Sequence, residues 1–467
     1  MEHIIQQIAL ELARKITERT LFDEIYDLDL MSSLALEDCK AAAIKIIEVL
    51  IENINVAFRE DKASRLEKGI LIKEHNRHRD ILTELGRIGF DRDYYYDKNR
   101  KCYVSPVDQL LNIESYDRVS KCVSAKLTEA ATEFSYQKST NIVTNGEISR
   151  QTVRNKILKA PTLEVIPPVE KREVKELHIF ADEDHVHMQK PRKEKGKKSR
   201  QVPLVTVTEG VTGESRTRNC TINPVHFVEE DFSPTKLWED TDAYIRMRYD
   251  VDKIENIYIH GDGASWIESG LSEYSNVTHV MDGYHLGKYL RAINTKFPKK
   301  NVRFRLEQTL RSNEKEKANE ILESLKNEAK EEKQIIALET TKSYLNNKWE
   351  ELVGRRILDI PGSCTEGQVS HVLSERFSRN PMGWSSKGLG KLSKLRVYRK
   401  NGGKIEGKHF QKNQEDNTSL IKEVTRREVA GCFDWSIFDG EPLIFDRNSG
   451  TQELIRMLGE QNNRILS

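Results

Sequence analysis

Leu177-His-Ile-Phe-Ala-Asp182-Glu-Asp184 is an apolar run that breaks at an aspartate. Two later segments share its design. Ile257-Tyr-Ile-His-Gly-Asp262-Gly is a short apolar strand pattern ending in an aspartate between glycines. Gly362-Ser-Cys-Thr-Glu366-Gly places a glutamate where a helix opens, ahead of Val369, Val372, Leu373 and Phe377. Glycines flanking Asp262 let the backbone turn sharply and leave the carboxylate uncrowded at the strand's C-terminal end, where α/β folds build their sites. Read singly, each aspartate is a turn residue and the glutamate a favourable partner for a helix dipole. Taken in order, Asp182, Asp262 and Glu366 match what a ribonuclease-H-like core uses to hold two hard divalent cations, Mg or Mn, against a phosphodiester. Asp184 lies on the same strand face as Asp182 and is the alternative first ligand. Asp282, which follows the strand Val277-Thr-His-Val-Met281, competes with Asp262.

Around this pattern the chain divides into six regions. Residues 1–70 carry Ile4, Ile5, Ile8, Leu12 and Ile16, then Ile44, Ile47, Leu50, Ile51, Ile54 and Phe58, at helical spacing, which predicts an amphipathic helical region. Residues 71–170 are expected to hold a β-hairpin and a helix-turn-helix. The hairpin is read from Glu84–Tyr96 and Cys102-Tyr-Val, with Tyr94, Tyr95 and Tyr96 beside Arg87, Arg92, Arg100 and Lys101. A short helix, the turn Asn145-Gly146 and a second helix capped by Ser149 form the helix-turn-helix. Its second helix would present Arg150, Gln151, Thr152 and Arg154 to a major groove, where Arg reads guanine and Gln reads adenine.

Residues 171–287 are expected to form the first part of the catalytic core, with an antiparallel strand pair after Asp182 joining a mixed sheet. Between those two strands, Gln189–Arg200 holds seven basic residues and one acid, a flexible loop pattern. Residues 288–360 turn Lys/Glu-rich and read as an all-helical insertion with Ile321, Leu325, Ile335, Leu338, Leu345 and Trp349 inward. Residues 361–410 return to the core and carry a basic helix. In it, Lys387, Lys391 and Lys394 share a face at helical spacing, next to Arg396, and read as contacts to a DNA backbone. Residues 411–467 form a C-terminal region without a readable pattern. The expected class is therefore α+β or α/β.

Composition limits the alternatives. The chain has 467 residues, 37% hydrophobic and 32% charged, with a net charge of only +1, so any basic surface is local. Six scattered cysteines without a CxxC pair exclude zinc-site spacing and argue against a disulfide framework. No run approaches the ~20 apolar residues of a membrane-spanning helix, and the first residues do not read as a signal peptide. A cytoplasmic, nucleoid-associated protein is expected.

Several segments together resemble the ISLre group of bacterial insertion-sequence transposases, long filed as uncharacterised proteins. They are Thr83-Glu-Leu-Gly-Arg-Ile, Tyr103-Val-Ser-Pro-Val-Asp108, Ile148-Ser-Arg-Gln-Thr-Val153, Ala181-Asp-Glu-Asp-His185, His260-Gly-Asp-Gly-Ala264, Asp282-Gly-Tyr-His-Leu286, Glu366-Gly and Met382-Gly-Trp384-Ser with Leu395-Arg396. The resemblance implies a DDE transposase with Asp182, Asp262 and Glu366 as its triad and Asp282 and His285 as a (C/D)xxH motif. By analogy with related transposases, Arg376, Trp384 and Arg396 support the site or contact DNA. It further implies terminal inverted repeats and target DNA as partners, no membrane, and a homodimer or higher multimer that joins two ends. Two other readings stay open: a non-enzymatic helix-turn-helix regulator, and a hydrolytic nuclease on the same fold.

Overall fold

The computed structural model describes residues 2–21, 27–168, 170–189, 199–213, 219–281, 283–357, 364–380, 382–411 and 419–426. Among them no helix is long and apolar enough to cross a membrane. The chain forms two compact units, residues 1–124 with 406–467, and residues 125–405. The helix-turn-helix and the acidic segments thus lie in one unit and the hairpin in the other.

In the first unit, α1 (Glu2–Leu21) and α2 (Leu28–Glu60) realise the helical spacing, and Asp27 caps α2 by accepting from the Leu30 amide at 2.7 Å. After α3 (Lys62–Glu67) come three antiparallel strands, β1 (Ile70–Leu82), β2 (Arg87–Asp97) and β3 (Cys102–Val104), then α4 (Pro106–Leu110). Ile51 and Phe58 of α2 join Ile81, Ile88, Phe90 and Tyr95 in one core. The hairpin read from Glu84–Tyr96 and Cys102-Tyr-Val is β2 paired antiparallel with β3, but its first strand starts at Arg87. Glu84 and Leu85 form the turn between Thr83 and Gly86, and a full strand, β1, precedes it. The middle of β1, Lys73–His78, is exposed on every residue, so it has no alternation to read. Arg92 is not a surface group either: it is buried, and together with Arg79 it holds Asp108 at 2.8 and 2.7 Å. Tyr95 lies in the core.

Helix α5 (Lys121–Glu133) begins in the first unit and ends in the second. There α6 (Tyr136–Thr144) and α7 (Arg150–Lys159) precede β4 (Glu176–His187), β5 (Ser199–Thr208), a small hairpin of β6 (Val211–Gly213) and β7 (Asn219–Thr221), and β8 (Val225–Phe227). Then follow α8 (Pro234–Arg248), β9 (Asn256–Gly261), α9 (Ser265–Glu268) and β10 (Val277–Met281). The five-stranded sheet has the order β10-β9-β4-β5-β8. β4 pairs antiparallel with β5 and parallel with β9, β8 runs antiparallel to β5, and β10 runs parallel to β9. This is the mixed α/β sheet expected from the sequence.

Alternation along β4 gives the sheet two different faces. Leu177, Ile179 and Ala181 join Val205, Val207, Ile257 and Ile259 under Leu237, Trp238 and Ile245 of α8. His178, Phe180, Asp182 and Asp184 belong to the opposite face. β8 meets a substitute partner at the sheet's edge: the Asn401 side chain accepts from the His226 amide and donates to its carbonyl, both at 2.8 Å. An unpaired strand edge is thereby satisfied without a further strand.

Between the two halves of this unit stand α10 (Gly283–Lys296), α11 (Val302–Arg311), α12 (Lys315–Glu328), α13 (Glu332–Asn347) and α14 (Trp349–Ile357). Their core contains Leu290, Ile293, Leu306, Leu310, Ile321, Leu325, Leu338, Leu345 and Trp349, and extends to Met281 at the end of β10. The described part of the expected insertion is all helical, and Ile335 is its only half-exposed member among the six positions named from sequence. The chain then returns through α15 (Thr365–Val369), a π-helical turn (Ser370–Ser374), α16 (Glu375–Phe377) and α17 (Ser386–Lys400), and the first unit gains α18 (Ser419–Val424).

His226 makes this edge pH-sensitive. Burial, with some help from Lys400, pushes its imidazole down to about 4, and its Nδ1 lies 2.9 Å from the Thr206 hydroxyl. Between pH 6.5 and 4 the unfolded chain therefore takes up a proton that the folded chain refuses. Stability from this group is complete above pH 6.5 and lost as pH falls towards 4, by about 3 kcal/mol at most. Urea unfolding across this window is expected to show that slope in the natural chain and to lose it in His226→Gln.

Candidate active site

The parallel register of β4 and β9 sets the position of the two aspartates. Phe180 pairs with His260, so Asp182 and Asp262 each stand two residues beyond the same rung, at the C-terminal end of β9 and beside it on β4. The backbones touch there. A Cβ on Gly261 would lie 3.1 Å from the Ala181 carbonyl and 2.9 Å from Ile267, so any larger residue would wedge the strand ends apart. Asp262 leads into a turn closed by its own side chain, whose Oδ1 accepts from the Ala264 amide at 2.9 Å. Gly263 within that turn has φ +80°, in the left-handed region that glycine adopts without strain.

Glu366 comes from a later segment of the chain. It lies in the first turn of α15, which packs on β4 and where the helix N-terminus favours its charge. The acids act on one another. Burial pushes the Asp182 carboxyl up to about 7, the Asp262, Glu183 and Glu366 charges push the same way, and a hydrogen bond from the Glu183 amide opposes them. Three acids from separate segments thus share one electrostatic site. Among the described residues, no three His, Cys, Asp or Glu side chains stand close enough to enclose a metal ion as placed. In kind, however, the donors fit one: all three are hard carboxylate oxygens, and their mutual repulsion is what a divalent cation relieves.

Asp184 is differently employed. It is buried, accepts from the Ser378 hydroxyl at 2.8 Å, has the Ser374 hydroxyl in hydrogen-bonding reach, and its carboxyl is raised by burial. It ties the return segment that follows α15 to β4, whereas it is Asp182 on which the Asp262 and Glu366 charges act. Glu183, on the other face, accepts from the Trp266 indole at 2.9 Å and from Gln201. Asp282 lies outside the described residues. His285 is half-buried in the first turn of α10.

The basic helix needs correction. On α17, Lys394 is buried and pairs with Glu229 at 2.5 Å, Glu164 at 3.2 Å and Asp240 at 3.3 Å. Lys391 pairs with Glu230 at 2.9 Å and also donates to the Thr162 hydroxyl. Arg396 is 1% exposed and donates to the carbonyls of Val372, Thr132 and His371 and to Glu133. Of these four, only Lys387 is exposed. Helical spacing showed which residues share a face, but the acids that neutralise Lys391 and Lys394 come from segments more than a hundred residues away and leave no local signal.

Arg376 and Trp384 are likewise internal. Burial lowers the Arg376 guanidinium to about 10; its Nε donates to the Ala131 carbonyl, and it stacks 4.8 Å over the Trp384 ring. Trp384 donates its indole to the Phe377 carbonyl, and its backbone exchanges hydrogen bonds with His187 and Gln189 just past Asp184. Both residues fix the return segment against β4 and touch none of the three acids in the contacts they make here.

The helix-turn-helix is present as a local fold. Ser135 caps α6, Asn145 (φ 50°) and Gly146 (φ 82°) make the turn, and Ser149 caps α7 by accepting from the Thr152 amide at 3.2 Å. Val153 and Ile157 face inward, Arg150 and Gln151 are exposed, and Thr152 and Arg154 are half-buried. Gln151 donates to Asn155 one turn on. One feature of the site had no sequence signal: Lys348, between α13 and α14, donates to the Gly263 carbonyl at 3.2 Å.

A sequence model of a family described as "Uncharacterised protein family (UPF0236)" matches residues 23–414. The chain is similar to several UPF0236 proteins of Caldanaerobacter subterraneus subsp. tengcongensis. One, named TTE0610/TTE0881/TTE1053/TTE2432, is 34% identical over 436 residues, 92% of this chain and 91% of that protein. Another, TTE2489, is 36% identical over 385 residues, 82% of this chain and 80% of its own length. A third, whose name joins eleven designations from TTE0033 to TTE2212, is 34% identical over 436 residues, 92% and 91% of the two chains.

If Arg396 is an internal brace, Arg396→Met should lower stability by about 3 kcal/mol, because the carbonyls and Glu133 lose their donor. Lys387→Ala should stay within about 0.5 kcal/mol of the natural chain in the same urea titration.

Proposed function

We propose that this chain, which belongs to the uncharacterised family UPF0236, is a DDE transposase of an ISLre-type bacterial insertion sequence. It would bind the element's terminal inverted repeats and catalyse metal-dependent DNA cleavage and strand transfer. The observation that carries this reading is the register that sets Asp182, within β4, beside Asp262, just past β9, with Glu366 in the first turn of α15, which packs on β4 and whose charge acts on Asp182.

Further features support it. Three antiparallel strands (β4, β5, β8) followed across a helix by two parallel ones, with β4 central, have the strand order of a ribonuclease-H-like core. A helical insertion stands between the second and third acids, and a helix-turn-helix precedes the first. Two relatives carry four and eleven designations within one organism, which reads as one protein encoded in many copies, as a mobile element would be.

Asp182, Asp262 and Glu366 would hold two Mg or Mn ions, which when bound activate the attacking oxygen and stabilise the leaving one. Asp182, with its carboxyl near 7, would give up a proton on becoming a ligand, so activity should rise with pH through neutrality. Arg150, Gln151 and Arg154 would seat the element's end so that its terminal phosphodiester faces the acids. Water adds to that phosphorus and the element's 3′-oxygen leaves as a hydroxyl. The hydroxyl then attacks a target phosphodiester and expels a target 3′-OH, so one phosphodiester replaces another without an external energy source. Two ends must be joined together, which implies a homodimer or larger multimer.

The test is a duplex bearing the repeats that flank the gene, incubated with Mn and the full chain. Nicking and strand transfer are expected, and Asp262→Asn should reduce both to background while retaining DNA affinity. Cleavage without joining would assign a hydrolytic nuclease instead. Undiminished activity of Asp262→Asn would remove the triad. Separately, Arg150→Ala should weaken binding to the repeats by about 1–3 kcal/mol, measured by fluorescence anisotropy against a scrambled duplex.

A further inference from the structure

The turn that presents Asp262 is held by a residue of the helical insertion. Lys348 Nζ donates to the Gly263 carbonyl at 3.2 Å and to Glu268 Oε1 at 2.5 Å, with Glu351 Oε1 at 3.7 Å. Its side chain is only 21% exposed. Burial disfavours its charge, but Glu268 and Glu351 more than offset this and raise the ammonium above the usual lysine range. The approach is close: a Cβ at 263 would sit 2.6 Å from Lys348 Nζ and 3.1 Å from Met281 Cε, so a larger residue there would have to push the lysine aside. The base of the lysine is itself fixed. Its backbone amide caps α13 on the Tyr344 carbonyl at 3.1 Å, and the adjoining Trp349 is buried with its indole bonded to Asn313 Oδ1 at 2.8 Å.

We propose that Lys348 is a positioning residue for the site: it ties the α13–α14 elbow to the Gly263 carbonyl and so fixes the direction of the Asp262 carboxylate. This rests on the reading of Asp262 as a metal ligand. Gly263 has the widest backbone freedom of any residue, and the Asx hydrogen bond from Ala264 restrains only one side of the turn. Lys348 supplies the other restraint. It also makes the geometry of the second acid depend on the insertion, so a load on those helices reaches Asp262 through one ammonium.

The experiment is a calorimetric titration of the full chain with Mn alone, with no DNA present, comparing the natural protein with Lys348→Met, Glu268→Gln and Asp262→Asn. Lys348→Met is expected to unfold in urea near the natural midpoint yet bind Mn about tenfold more weakly, as loss of a support behind a metal ligand does. In cleavage assays its kcat should fall at low Mn and recover at high Mn, with KM for DNA unchanged. A folded Lys348→Met that binds Mn as the natural chain does would overturn the proposal. If that variant does not fold, Glu268→Gln, which loosens the same ammonium, carries the test: weaker Mn binding supports the latch and unchanged binding rejects it. Unchanged Mn binding in Asp262→Asn would instead reject the ligand reading on which the latch depends.

Discussion

The parallel pairing of β4 with β9 is the constraint on which the candidate site depends. With Phe180 opposite His260, both chains reach an aspartate two residues later, at the same height and beside each other. The side-chain period of a strand is two, so a slip of one residue would turn Asp182 towards α8 and bury it among Leu237, Trp238 and Ile245. The alternation on β4 forbids that slip, because Leu177, Ile179 and Ala181 would then leave the core. Each fully buried aliphatic side chain is worth about 1.5–3 kcal/mol, far more than one carboxylate's preference for a face. Hydrophobic burial on one side of the sheet thereby fixes the acids on the other.

That division explains what could be read from the sequence. β9 and β10 are short apolar runs ending at polar breaks, whereas β4 runs on through Asp182 and Asp184 to His187, past the break at which the sequence suggested its end. Asp182 and Asp262 were legible because they mark where the apolar run stops. Glu366 was legible as the start of a helix. β1 was not, since Lys73–His78 is exposed throughout and shows neither period. Nor could spacing distinguish the exposed Lys387 from the buried Lys394, because burial of a lysine depends on Glu229, Glu164 and Asp240, which the fold alone brings near. Periodicity reports which residues share a face. Whether that face meets solvent or counter-charges is a tertiary fact.

Arg376, Arg396 and Asp184 show how the return segment is set at the right depth. A buried guanidinium is costly unless its donors are used, and Arg396 uses its donors on carbonyls at the end of α5 and in the π-helical turn, so the two stretches cannot drift apart without stranding a charge. Asp184 holds the same return segment to β4 through Ser378. Positions that look basic or acidic enough for DNA or metal are thus consumed in placing Glu366.

The acids also carry opposite demands, and this bears on why the insertion touches the site. Burying a carboxylate near others is unfavourable, and the Asp182 carboxyl is raised first by burial and then by the Asp262, Glu183 and Glu366 charges. A site of this kind cannot be held by its own side chains, which repel one another; it must be held by the backbone and by cations outside the cluster. β-pairing supplies the backbone restraint for Asp182, the α15 contact supplies it for Glu366, and Asp262, on a glycine-flanked turn beyond the end of its strand, has the least. Lys348 meets that turn at its carbonyl rather than at the carboxylate. An ammonium paired directly with Asp262 would neutralise the charge that a divalent ion needs, whereas one bonded to the Gly263 carbonyl and to Glu268 fixes the turn and leaves the carboxylate's charge uncancelled by a direct pair.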